Sequence, residues 1–166
     1  MAATLEVLRP FYSEEWREDM PENNKFYTLK GYALLESSAI TSSMEDYLEM
    51  IYRIHSNGDA VRIGALAESL NVKPSSASKM VGNLKERDLV SSEKYGYVKL
   101  TDTGHELGKY LVFRHDTLHH FLCYINQSEN ELEQVEKIEH FINAETVRNI
   151  KRLLDRLSLN SKTEFI

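Results

Sequence analysis

The chain has 166 residues, 42% of them hydrophobic and 28% charged, a balance that suits one globular domain or two small modules sharing a core. No apolar run nears the ~20 residues that a membrane span requires. No basic leader with a long apolar stretch opens the chain, and a single cysteine, Cys123, excludes an internal disulfide, so a reducing cytoplasm is the expected location. The net charge of -6 argues against general polyanion binding, yet residues 61–100 hold seven Lys or Arg against four acids, a locally basic module in an acidic protein.

Residues 1–40 read as an extension. Pro10, Pro21 and the polar run PENNK break any pattern, with short helices expected around Ser13–Asp19 and Leu29–Glu36. From there the periodicity sharpens. SSMEDYLEMIYRIH carries Met44, Leu48, Ile51 and Tyr52 at helical spacing, which predicts a helix over Ser43–His55 ending at the turn SNGD. Ser42 or Ser43 is placed to cap it, and acids in its first turn suit the positive end of the helix dipole. Asp46 and Glu49, three apart, also share a helical face and offer two oxygen ligands to a cation.

VRIGALAESLN predicts a short second helix with Ile63, Leu66, Ala67 and Leu70 on one side, and Val72 reads as a buried turn residue. Pro74 suits the first turn of a third helix, whose core stripe is Ala77, Met80, Val81 and Leu84. That leaves Ser75, Ser76, Ser78, Lys79, Asn83 and Lys85 facing out. Two strands, about Leu89–Glu93 and Tyr97–Leu100, follow around a turn at Lys94–Gly96.

Two helices joined by a tight turn and followed by a hairpin spell a winged helix-turn-helix. An outward face of hydroxyls, an amide and lysines lets the third helix sit deep in a major groove of double-stranded DNA, with Lys94 and Tyr95 at the wing tip over the adjacent backbone. Gly82 inside that helix costs about 1 kcal/mol relative to Ala.

Beyond Thr101 three further helices are expected: a long one through TDTGHELGKYLVFRHDTLHHFLCYI, one opened by a Ser128/Glu131 capping box, and one through AETVRNIKRLLDRLSL. They exceed what a lone DNA-binding module needs and are placed to build a homodimer. The fold class is therefore mostly α: an N-terminal winged helix-turn-helix over 41–104 and a C-terminal helical dimerisation domain over 105–166. In QVEKIEHF, Glu136, Glu139 and His140 stand at i, i+3 and i+4, one helical face with two carboxylates and an imidazole fit for a divalent metal. LVFRHDTLHHF adds His115. His55, His105, His119 and His120 read as surface or supporting groups, and Cys123 as a small core residue.

The segments SMEDYLEMIY, VKPSSASKMVGNLKE, SEKYGYVKLT, LGKYLVFRH and VEKIEHF, in that order between about Ser42 and Leu157, resemble the diphtheria-toxin-repressor superfamily of metal-dependent transcriptional regulators. The likeness is to its shorter, manganese-responsive branch, without the SH3-like domain of longer members. The resemblance implies a pair of metal ions held by Asp46, Glu49, His115, Glu136, Glu139 and His140. The iron-responsive branch has Met at the first of these positions and Cys at the fourth, so Mn²⁺ is the expected cofactor, with Fe²⁺, Zn²⁺ or Co²⁺ able to bind in vitro. It further implies a repressor rather than an enzyme, in which the cations clamp the two halves and set the spacing of paired recognition helices. Two other readings use the same residues: a winged-helix regulator that needs no metal, and a helical bimetal enzyme.

Overall fold

The computed structural model describes residues 40–92 and 97–163. The helices expected within 1–39 and the wing turn with Lys94 and Tyr95 lie outside the described residues.

Helix α1 spans Ser42–Ser56. Its cap is Thr41, not either serine: the Thr41 hydroxyl accepts from the Met44 amide at 3.3 Å. Met44, Tyr47, Leu48 and Ile51 give α1 its buried stripe, and Glu49 is buried with them. Helix α2, Ile63–Ser69, buries Leu66 and Ala67. Asn71 turns the chain with φ 52, and α3, Pro74–Glu86, starts with its proline in the first turn, where no amide bond is lost. Ala77, Val81 and Leu84 of α3 pack inward. Val72, expected to be buried, is exposed, because the turn is held by its backbone amide donating to the Ala67 carbonyl at 2.9 Å and not by its side chain.

Strand β1, Val90–Ser92, pairs antiparallel with β2, Val98–Leu100, in the register Val90↔Leu100. A bridge from Arg62 to Tyr97 ties the hairpin to the entry of α2. These elements form a winged helix-turn-helix around one apolar core that runs from Ile40 through Leu48, Leu66, Leu84 and Val98 to Leu111.

Helix α4 is continuous over Asp102–Asn126, so the boundary expected between residues 104 and 105 falls inside it. Thr101 closes its start in two ways: its hydroxyl accepts from the Gly104 amide at 3.0 Å and donates to the Asp88 carbonyl at 2.7 Å. Gly104 is obligatory at this crossing, since a Cβ there would stand 1.8 Å from the Leu89 carbonyl oxygen. Leu111 of α4 belongs to the first core. Leu118 and Leu122, two turns on, belong to a second, smaller core with Val135, flanked by Phe121, Ile138, Ile142 and Ile150. One rigid helix therefore registers the two cores against each other.

Helix α5 covers Leu132–Ile138, shorter than expected at both ends. The Ser128 hydroxyl donates to the Glu131 carboxylate at 2.6 Å and does not cap a backbone amide, so the helix starts late. At its other end the chain tightens into a 3₁₀ turn over Glu139–Phe141 before α6, Ala144–Thr163, opens with the Asn143 side chain accepting from the Thr146 amide at 2.8 Å. Among the described residues no helix is long and apolar enough to cross a membrane.

Candidate metal centre

The face of α1 that carries Asp46 and Glu49 meets α4 and the 3₁₀ turn, and five acids and two histidines converge there. Glu136, Glu139 and His140 turn to the same cleft, but from two elements, α5 and the 3₁₀ turn. Glu136 stays on α5 at the rim, with 58% of its side chain exposed. The tightened turn drives Glu139 inward to 1% exposure and aims His140 at α1.

Glu139 sits at the centre, and its two oxygens face opposite ways. Oε2 lies 3.1 Å from His115 Nδ1, while Oε1 lies 3.9 Å from His140 Nε2. On one side, Asp46, Glu139 and His140 place ligand atoms within 4.8 Å of one another; on the other, Glu49, His115 and Glu139 do the same. Glu136 Oε1 stands 3.7 Å from His115 Nδ1, just outside that second group. A groove of about 340 Å³ opens beside it, lined in part by Glu49, Arg53, His115, Asp116 and Glu136.

The donor set fits a cation pair. Asp46 Oδ1 is buried and lies 3.0 Å from His140 Nε2, with no other hydrogen-bond partner. Two ligand atoms converging at that distance, one of them otherwise unpartnered, are what a shared ion requires. The electrostatics agree. Burial and then the Glu139 charge push both Glu49 and Glu136 above the usual carboxylate range. The Glu139 hydrogen bond raises His115, and Asp46 followed by Glu45 raises His140 to about 9.

The model for the iron dependent repressor N-terminal DNA binding domain matches residues 39–98, and that for the iron dependent repressor metal binding and dimerisation domain matches residues 101–164. The chain belongs to the iron-dependent repressor family. A transcriptional regulator called MntR from Oceanobacillus iheyensis is 40% identical over 116 residues, covering 69% of this chain and 79% of that one. Its namesake from Bacillus subtilis is 37% identical over 136 residues, covering 75% and 96%. Among solved structures, the manganese regulator SloR is 27% identical with a TM-score of 0.62, covering 70% of this chain and 55% of that one. ScaR with bound Zn²⁺ is 26% identical with a TM-score of 0.57, covering 68% and 53%. The chain thus spans just over half the length of those solved proteins. Family and relatives make it a metal-dependent DNA-binding transcriptional regulator and not an enzyme.

Helix α3 lies within the residues matched to the DNA-binding domain and carries the outward polar face expected from the sequence. Ser75, Ser76, Ser78, Lys79 and Lys85 are exposed on it. Asn83 is half-buried, its amide reaching the Met80 sulfur at 3.9 Å, so it is less available than its position on the outward face suggests. Gly82 has nothing within 4 Å of where a Cβ would stand, so no packing inside the protein requires it.

Two residues of the site escaped the sequence reading. Arg114, 4% exposed, faces Glu45 at 2.9 Å and Glu139 at 3.7 Å. Glu45 contacts His140 Nδ1 at 2.7 Å. Burial alone would push Glu45 up, but His140 and Arg114 outweigh it and hold its carboxyl below the usual range. Glu45 reads in sequence as a helix-dipole acid, and nothing in helical spacing joins it to Arg114. His119 braces the α4–α5 turn, its Nε2 accepting from the Glu131 amide at 3.4 Å.

Proposed function

We propose that this chain is a Mn²⁺-responsive repressor, in which Asp46, Glu49, His115, Glu136, Glu139 and His140 hold a pair of ions between a DNA-binding module, residues 41–104, and a dimerisation module, residues 105–166. The observation that carries the reading is the central Glu139, buried at 1% and presenting one oxygen to each of two ligand groups. The donors are carboxylates and imidazoles, with no thiolate or thioether among them, which favours a hard ion such as Mn²⁺ over softer ones. Fe²⁺, Zn²⁺ and Co²⁺ remain able to bind in vitro, since affinity for such a donor set rises from Mn²⁺ along the first-row series.

Bound ions would supply the positive charge that the clustered carboxylates need. The residues themselves do the coupling. Asp46 and Glu49 lie on α1, whose apolar stripe packs in the first core; Glu136, Glu139 and His140 belong to the segment packed on the second; His115 lies on α4, which runs through both. Relieving repulsion among them fixes one core against the other. In a two-fold homodimer that sets the distance between the two α3 helices, which must match major grooves about 34 Å apart. Exposed Tyr124, Ile125 and Phe141 offer apolar surface for such pairing. Ser75, Ser76, Ser78, Lys79, Asn83, Lys85, Lys94 and Tyr95 would face the operator, in the cytoplasm.

The test is calorimetric titration of Mn²⁺ into the protein with and without operator DNA. Reciprocity requires DNA to tighten Mn²⁺ binding by the factor by which Mn²⁺ tightens DNA binding. Equal Mn²⁺ affinities with and without DNA would leave a metal-independent winged-helix regulator.

A further inference from the structure

We propose that Glu45 is a positioning residue of the metal centre: its carboxylate holds the Nδ1 proton of His140, leaving Nε2 to face the cation, and buried Arg114 keeps that carboxylate in place. The inference rests on the reading of His140 as a ligand.

Neighbouring residues of a helix diverge, yet Glu45 and Asp46 both reach the same imidazole, from opposite edges. Glu45 Oε2 is 2.7 Å from Nδ1, and Asp46 Oδ1 is 3.0 Å from Nε2. The Glu45 oxygen that meets the ring also meets Arg114 Nη1 at 2.9 Å. Arg114 Nη2 stands 3.3 Å from Nδ1, so the ring nitrogen has an acceptor on one side and a donor on the other. Were Nδ1 bare and accepting from Arg114, its lone pair would confront the Glu45 oxygen at 2.7 Å. A proton on Nδ1 turns that confrontation into the shortest contact of the cluster, and the guanidinium, which has donors only, is then held by carboxylates. With Nδ1 so engaged, Nε2 is the nitrogen left to offer its lone pair to a cation, on the edge shared with Asp46 and Glu139. A ligand imidazole steered by a carboxylate on its other nitrogen is a general device for raising metal affinity. Glu45 lies on α1, Arg114 on α4 and His140 in the 3₁₀ turn, so the same three groups also join the segments that the ions would clamp.

The experiment uses the full chain and the metal alone. Glu45→Ala is expected to weaken Mn²⁺ binding by about 10–100-fold in calorimetry. Glu45→Gln, whose amide oxygen still accepts from Nδ1, is expected to lose less. Long-range ¹H–¹⁵N spectra of the Zn²⁺-loaded parent should show His140 bound through Nε2 with a proton on Nδ1, a signature that a merely structural salt bridge would not set. The inference is overturned by binding through Nδ1, or by Mn²⁺ affinity in the Ala variant within about threefold of the parent. If the Ala variant does not fold, binding through Nδ1 in the parent overturns it equally. A parent that binds no Mn²⁺, or a His140→Ala variant that binds like the parent, defeats the underlying ligand assignment, which is a distinct result.

Discussion

The two sides of Glu139 are built differently. On the His140 side the imidazole is gripped at both nitrogens by acids of α1, with Arg114 behind them. On the His115 side a single nitrogen, Nδ1, faces Glu139 at 3.1 Å and both Glu49 and Glu136 at 3.7 Å. The first side is ordered by the contacts of Glu45 with His140 and Arg114 before any ion arrives. The second gathers three carboxylates about one imidazole, and burial followed by the Glu139 charge displaces Glu49 and Glu136 upward. Orientation is prepared on one side and repulsion is stored on the other, and one buried carboxylate belongs to both.

The largest expected effect therefore comes from the shared residue. Glu139→Gln keeps the shape and removes the charge that both sides use, and should lower Mn²⁺ affinity by more than about 100-fold, with loss of Mn²⁺-stimulated operator binding. Glu136→Gln, at the rim, should cost clearly less. Paired calorimetry of the two variants checks the ranking; equal losses would remove the special place of Glu139.

Acidity separates the metal-free from the loaded protein. His140 is raised from its ordinary 6.5 to about 9. A raised imidazole contributes stability that is fully present below 6.5 and lost as pH climbs through about 9. His115 acts with the same sign. Glu49 and Glu136, raised carboxyls, act with the same sign, and their contributions are already lost as pH rises through the carboxylate range, below that of the histidines. Metal-free protein should thus lose thermal stability from near-neutral to alkaline pH. With Mn²⁺ the sign reverses, because ligand nitrogens must shed their protons: apparent affinity should climb by up to about tenfold per pH unit for each proton released. Melting curves across this range, with and without Mn²⁺, read both slopes. Parallel slopes would mean that the histidines do not exchange protons for metal.

Much of this was legible before any coordinates. Helical spacing located α1, α3 and α4, because each has an unbroken apolar stripe to bury, and the order of motifs pointed to the family. Local competition was not legible. Thr41 takes the cap that either of its serine neighbours could supply, and the Ser128 hydroxyl turns to a carboxylate in place of an amide. The 3₁₀ turn at Glu139 has no periodic signature, yet it buries Glu139 while Glu136, one turn earlier on α5, stays at the rim. Glu45 and Arg114 stayed hidden for a different reason: their partnership exists only once α1 packs on α4.

The smallest effect probes the less prepared side. The Arg53 guanidinium donates to Glu49 Oε1 from Nε at 2.9 Å and contacts Asp116 at 3.0 Å, with about a third of its side chain in solvent. It thus draws one ligand oxygen outward and places a positive charge beside the groove where an ion would enter. Arg53→Ala removes two partly exposed ion pairs, each a contribution of about 0–1 kcal/mol, so the fold should be little disturbed. Freed of that competitor, Glu49 turns wholly to the His115 side, and Mn²⁺ affinity should rise by about two- to fivefold, the same energy read as a binding constant. On the His140 side no such gain is available, since its competing cation, Arg114, is part of the scaffold that holds Glu45. A weaker Mn²⁺ titration for Arg53→Ala would show that the arginine orients Glu49 instead of competing for it, and that the two sides are built alike.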